Sequence, residues 1–154
     1  MDPGRGLGVP GARHVSSLTM GTARATDAGM MLTLFQVALG GAIGACLRFG
    51  VVLAMPRLPG PGLPLGVLSV NVLGSFLMGA VMILSVQRGF EHLNPFLMIG
   101  ILGGFTTFST FSLEAFLLFE RGRILAAGTY VGLNVVLSLT ALALGVWLAR
   151  GLST

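Results

Sequence analysis

The chain has no lysine, one cysteine, one tryptophan and one tyrosine, and only 9% of its 154 residues are charged. Each shortage excludes something. Soluble domains carry about 25% charged residues, so a chain with 54% hydrophobic residues and this little charge is an integral membrane protein. A mean hydropathy of +0.92 agrees. Cys46 has no second cysteine to meet, which rules out an intramolecular disulfide. Inside an apolar run it reads as a small buried hydrophobe. All nine basic residues are arginine, against five acids. Without basic and aromatic residues clustered together they make no nucleic-acid surface. No metal-ligand cluster, nucleophile–base pair or phosphate loop appears, so nothing points to an enzyme. Residues 1–30 are glycine-rich, contain Pro3, Pro10, Arg5, Arg13 and Arg24, and lack the run of about 7–15 apolar residues that a secretory signal needs. They read as a disordered extension, or as a stretch ahead of a true start at Met30 or Met31.

What is present is four apolar runs, at about 32–53, 65–86, 95–119 and 124–148, each near the roughly 20 residues that cross a bilayer core. Residues 31–154 therefore read as one all-α domain of four transmembrane helices. In the first, Gln36, Gly40, Gly44 and Arg48 recur every four residues on one face, and small residues so spaced let helix backbones approach closely. Arg48 either snorkels to headgroups or draws an anion toward a vestibule. The second has one strongly polar residue, Asn71, with Gly74, Ser75 and Met78 on its face. An intramembrane amide is helix–helix glue or part of a pathway. His92, in the loop QRGFEHLN, reads as a solvated residue. In the fourth, Tyr130, Asn134 and Ser138 share a face, and Gly128 with Gly132 forms a GxxxG pair that favours close helix contact. Trp147 and Arg150 suit the interface.

The third run is organised around Gly103 to Ser112, GGFTTFSTFS. Two glycines weaken a helix by about 1 kcal/mol each, and four hydroxyls offer the backbone other partners. Irregular backbone at membrane depth persists only where protein buries it or it lines a wet cavity. The third helix should thus be broken near its middle, at a binding site or pore. Beyond the break, Phe108, Phe111 and Ser112 fall in one narrow sector, with Thr107, Thr110 and Glu114 beside them. A phenyl ring has a partly positive edge, so phenylalanine standing edge-on can line an anion path. Glu114, the only acid deep in a span, reads as functional: protonated, paired with Arg48, or bonded to hydroxyls.

Taken in order, Gly40-Gly41-Ala42-Ile43-Gly44-Ala45-Cys46-Leu47-Arg48, then Val70-Asn71-Val72-Leu73-Gly74-Ser75-Phe76, then GGFTTFSTFS followed by Glu114, resemble the CrcB/Fluc fluoride channels over about residues 32–150. The resemblance implies a dual-topology antiparallel homodimer of four-helix subunits, with two fluoride pores that let the ion leak out through the cell membrane. It implies that Asn71 donates to fluoride, that Phe108 and Phe111 line the path by their ring edges, and that Arg48 stands in the vestibule. It places Thr110, Ser112 and Glu114 on the pore wall and Tyr130 and Ser138 on a polar track. Asn134 occupies a track position where some members have serine. It also implies a structural sodium ion held across the dimer axis by backbone carbonyls of Gly103 and Thr106. Outside the extension, arginines number two on one side (Arg88, Arg150) and three on the other (Arg57, Arg121, Arg123). That gives almost no orienting force, as dual topology requires, whereas counting the extension's Arg5, Arg13 and Arg24 makes five against three, so the start position bears on topology. Two other readings remain, a small proton-coupled transporter and an accessory membrane subunit. The first lacks a first-span glutamate, and the second leaves the hydroxyl–phenylalanine cluster unexplained.

Overall fold

The computed structural model describes residues 12–55 and 62–152, with side chains from residue 27 onward. Helix α1 runs over Ala12–Ala54 and α2 over Leu65–Arg88. Helix α3 is wound as a π-helix over Pro95–Leu102 and as an α-helix over Gly103–Phe105. Helices α4, Phe108–Glu120, and α5, Ile124–Gly151, complete the chain. Four stretches are long and apolar enough to cross a membrane: Asp27–Ala54, Leu65–Arg88, Glu91–Glu120 and Ile124–Gly151. They are the four spans expected, each reaching a few residues further at one or both ends. Of the N-terminal extension, residues 1–11 lie outside the described residues. From Ala12 the backbone is helix where irregular chain was expected. No proline falls between Pro10 and Pro56, so nothing sterically interrupts the run.

Chain reversals fall where the sequence supplies left-handed residues. Helix α2 stops at Gly89, φ +72°, whose N–H returns to the Ser85 carbonyl. Gly122, φ +73°, turns α4 into α5.

Two helix pairs carry the packing, α2 with α5 and α1 with α3. Glycines set both distances. A Cβ on Gly79 would collide with the Leu142 carbonyl oxygen, and one on Gly145 with that of Phe76. Across the other pair, a Cβ on Gly100 would sit 2.8 Å from the Gly40 Cα, and one on Gly104 would sit 2.7 Å from the Gly41 oxygen. The small face of Gly40 and Gly44 thus meets α3, as its spacing foretold. The GxxxG pair behaves differently. Nothing lies within 4 Å of a Cβ on Gly128 or Gly132, and the close approach of α5 is made at Gly145 instead. Cys46 also departs from expectation: it is exposed, two residues on from Gly44 and so on the opposite face of α1.

The internal core is small. Val67, Phe111, Leu118, Ala127 and Tyr130 join α2, α4 and α5, while Phe35, Leu53 and Leu125 stay largely exposed. In lipid, where apolar side chains gain little by leaving acyl chains, close backbone contact replaces a large core. Gly79→Val should therefore destabilise the protein by at least the roughly 1–3 kcal/mol of an overpacked core. Gly128→Ala should be neutral or stabilising. Thermal unfolding in detergent, followed by loss of the monodisperse elution peak, distinguishes the two.

Candidate functional site

The third span is broken, but not at its glycines. Gly103 keeps helical angles, and the extended residues are Thr106 (φ −76°, ψ 156°) and Thr107 (φ −151°, ψ 120°). The reason is packing. Gly104 is needed inside the helix, against Gly41 of α1. Of the threonines, Thr106 Oγ1 donates back to the Leu102 carbonyl at 2.9 Å, while the Thr107 N–H finds a partner outside the helix, donating to Asn71 Oδ1 at 2.8 Å.

Thr107 then starts α4 as its N-cap. Its Oγ1 accepts from the Thr110 N–H at 3.3 Å and donates to Thr110 Oγ1 at 3.1 Å, a cap worth about 0.5–2 kcal/mol. Thr107 was not among the site residues foreseen. Its signal was a threonine directly ahead of an apolar helical run.

Asn71 grips the same residue twice. In extended Thr107 the N–H and C=O project to one side, as in a strand. Asn71 Nδ2 donates to the Thr107 carbonyl at 3.1 Å while Oδ1 takes its N–H. Nδ2 also donates to Asn134 Oδ1 at 3.0 Å. Because a backbone N–H can only donate, the amide cannot be turned the other way.

Arg48 is half-buried. Its Nε donates to the Gly104 carbonyl at 3.1 Å, placing a cation at the negative end of α3. Glu114 is bonded to a hydroxyl: the Tyr130 O–H donates to its Oε2 at 2.6 Å. Tyr130 is fully buried and its ring lies 5.6 Å from that of Phe111. Phe111 in turn lies 5.5 Å from Phe108, the planes 57° apart. One ring of that pair is inside the chain and the other outside: Phe111 is 7% exposed and Phe108 78%.

Asn71, Ser75, Thr107, Phe108, Phe111, Asn134 and Ser138 line a cleft of about 430 Å³ together with apolar residues such as Met78 and Leu139, and Arg48, Glu114 and Tyr130 lie outside its lining. Asn134, 4% exposed, donates by Nδ2 to the Tyr130 carbonyl at 3.4 Å. Ser138 Oγ is buried with no hydrogen-bond partner. Ser112 is not brought in: it is exposed and donates to the Phe108 carbonyl of its own helix at 2.9 Å. Thr110 joins through Thr107 alone.

Among the described residues no three His, Cys, Asp or Glu side chains gather for a metal. Backbone oxygen is another matter. In an unbroken helix the Thr107 N–H would close on Gly103 and the Thr110 N–H on Thr106. Here they go to Asn71 and to the Thr107 hydroxyl. The Gly103 and Thr106 carbonyls thereby lose their usual helical donors, and carbonyl oxygens are hard donors of the kind that suits an alkali cation.

Residues 35–146 match the family described as CrcB-like protein, Camphor Resistance (CrcB). The chain is 56% identical over 126 residues to the fluoride-specific ion channel FluC of Ruegeria sp. (strain TM1040), covering 81% of this chain and 100% of that one. It is 52% identical over 123 residues to the protein of that name from Roseobacter denitrificans, 79% of this chain and 98% of the relative. The Rhizobium etli protein of the same name is 46% identical over 125 residues, 80% and 100% of the two chains. With a match across most of its length and relatives this similar over their whole extent, the chain belongs to the CrcB family.

Proposed function

We propose that this multi-pass membrane protein is a fluoride channel, conducting passively through the cleft between α2, α4 and α5. It is not an enzyme. The observation that carries the reading is chemical: neutral donors and two phenyl rings gather on one cleft beside a broken helix, and the Ser138 hydroxyl there is buried without a partner. Fluoride holds its water tightly, so a pore must replace that shell with donors. It must also hold the ion weakly enough to release it. Hydroxyls, amide N–H groups and ring edges do this without a fixed cation at the narrowest point. The N-terminus of α4 adds a partial positive charge directed at the break. The fluoride-channel relatives support this reading over a proton-coupled transporter or an accessory subunit.

The working unit in this reading is an antiparallel homodimer in the cell (inner) membrane. Phe108 supports it, since a ring 78% exposed beside a 7% exposed partner is what a pathway wall completed by a second chain would leave on one chain. One chain has two carbonyls without their usual helical donors, Gly103 and Thr106, and two chains meeting at their breaks would offer four. A sodium ion held there would supply fixed positive charge and pin the two breaks together.

Liposomes containing the purified protein should release fluoride rapidly and chloride slowly. Phe108→Ile, which removes a ring edge and little volume, should lower fluoride efflux by about a hundredfold or more. Equal efflux of both anions from wild-type protein would defeat the channel assignment. Orientation is tested separately. With Glu91→Cys in a Cys46→Ala background, an impermeant maleimide added outside intact cells should label about half of the molecules, as an arginine bias of two against three predicts. Uniform labelling or uniform protection would exclude dual topology.

A further inference from the structure

We propose that the pocket between the α4–α5 turn and the segment entering α2 is an anion-collecting mouth of the pathway, where Arg123, with Arg121 beside it, receives fluoride at the membrane surface. The proposal rests on the channel reading above and adds to it a site outside the cleft.

A row of hydrogen-bonded side chains leads from the cleft to this pocket. Asn134 lines the cleft, and its side chain is hydrogen-bonded to that of Tyr130. The Tyr130 hydroxyl donates in turn to Glu114 Oε2 at 2.6 Å. Glu114 borders a second cavity, of about 160 Å³, whose lining includes Gly62, Leu63, Pro64, Arg121 and Arg123. At about 30 Å³ per water, that space holds a small ion with part of its hydration shell. The 13 residues of α4 put the Arg121 turn about 20 Å from the break, at the end of the third span. A polar route along α4 and α5 would therefore open at this cavity.

The pocket has a cation in want of an acceptor. Arg123 is half-buried, and its Nη2 is buried without a hydrogen-bond partner among the described residues. A guanidinium cannot shed its proton, and a buried donor left unsatisfied in a native structure calls for an ion or a water. An ordinary membrane anchor would hold its charge out among the headgroups; this one has a nitrogen buried beside a polar cavity. Arg123 is also the N-cap residue of α5, and its side chain caps no N–H. The unpaired N–H groups and positive end of a 28-residue helix thus lie at the same turn. Two guanidiniums against one carboxyl make the pocket attractive to anions. The Glu114 carboxyl and the exposure of Arg121 to water keep the well shallow enough for the ion to move on.

Full-length wild type, Arg123→Gln, Arg123→Lys and Arg121→Glu are reconstituted in uncharged phosphatidylcholine. Initial fluoride efflux is measured against fluoride concentration in about 10 mM and about 150 mM of a salt with an impermeant anion, between which the Debye length falls from about 30 to about 8 Å. Arg123→Gln should raise the half-saturating concentration about fivefold at low salt. Its maximal efflux should stay within about twofold of wild type, and most of the salt dependence should vanish. Arg123→Lys, which keeps the charge, should recover most of the shift. Arg121 is exposed, so Arg121→Glu reverses one charge of the pocket without disturbing the packing. Its half-saturation should rise about fivefold or more, which keeps the test decisive if Arg123→Gln does not fold. A lower maximum with unchanged half-saturation would make Arg123 a structural anchor and overturn the proposal. So would a shift that appears only after phosphatidylglycerol is added, since the pocket would then hold lipid phosphate. Fluorine NMR in neutral detergent reads binding without transport: Arg123→Gln should broaden the fluoride line about twofold less than wild type does, and equal broadening would overturn the proposal. A wild type that passes no fluoride defeats the channel reading instead, and the linewidth contrast then still decides the pocket.

Discussion

Backbone polar groups cannot be left unpaired in hydrocarbon, where each one costs several kcal/mol, and the interruption between Phe105 and Phe108 creates several at once. The rest of the structure is arranged to answer them. Arg48 of α1 takes the Gly104 carbonyl, and Asn71 of α2 takes both the N–H and the carbonyl of Thr107. The Thr107 hydroxyl takes the Thr110 N–H. Two separate helices and one hydroxyl of the break itself thus answer groups within Gly104 to Thr110. A break supported this way is a fixed feature, not a flexible point.

The glycines act one step earlier in that argument. Arg48 reaches Gly104 because α1 lies almost in backbone contact with α3, at Gly40, Gly44, Gly100 and Gly104. On the far side, Gly74 lets α2 approach the break, since a Cβ there would strike the Thr106 side chain. The close pairing of α2 with α5 through Gly79 and Gly145 then sets Asn71 opposite Asn134. Side-chain hydrogen bonds of about 3 Å tolerate little slack. Helix spacing and polar network are therefore one design, and a substitution that widens either helix pair would be felt at the break without touching it.

Much of this was legible in the sequence, for identifiable reasons. Long apolar runs separated by polar or proline-rich turns fixed the four spans, because bilayer thickness leaves few other solutions. The clash between a membrane-length run and GGFTTFSTFS marked the third helix as broken. The position of the break was not legible. Composition points to the glycines, but the decision belongs to Asn71, 36 residues away in sequence, which offers the Thr107 peptide a better partner than the helix does. The partner of Glu114 stayed open for a like reason, since choosing Tyr130 over Arg48 requires knowing how α4 and α5 are rotated. Gly128 and Gly132 make no close contact within the chain. Their spacing satisfies the GxxxG pattern, yet the pattern cannot say which face of α5 meets a neighbour, and α2 meets the face carrying Gly145.

The use made of charge is the last point. Arg48 is the one basic residue inside a span, and in an anion path an unscreened guanidinium would form the deepest well. By donating to Gly104 it is held at the C-terminal end of α3, where it offsets the negative helix end as well as satisfying a carbonyl. Glu114 is handled in parallel, accepting the Tyr130 hydroxyl so that a carboxyl group can stand within the span. What then lines the cleft is uncharged: hydroxyls, carboxamides and phenyl rings among the apolar side chains of Met78, Val135, Leu139 and Leu142. Neutral donors of this kind are individually weak. A row of weak sites is what allows an ion that binds water tightly to enter, move and leave.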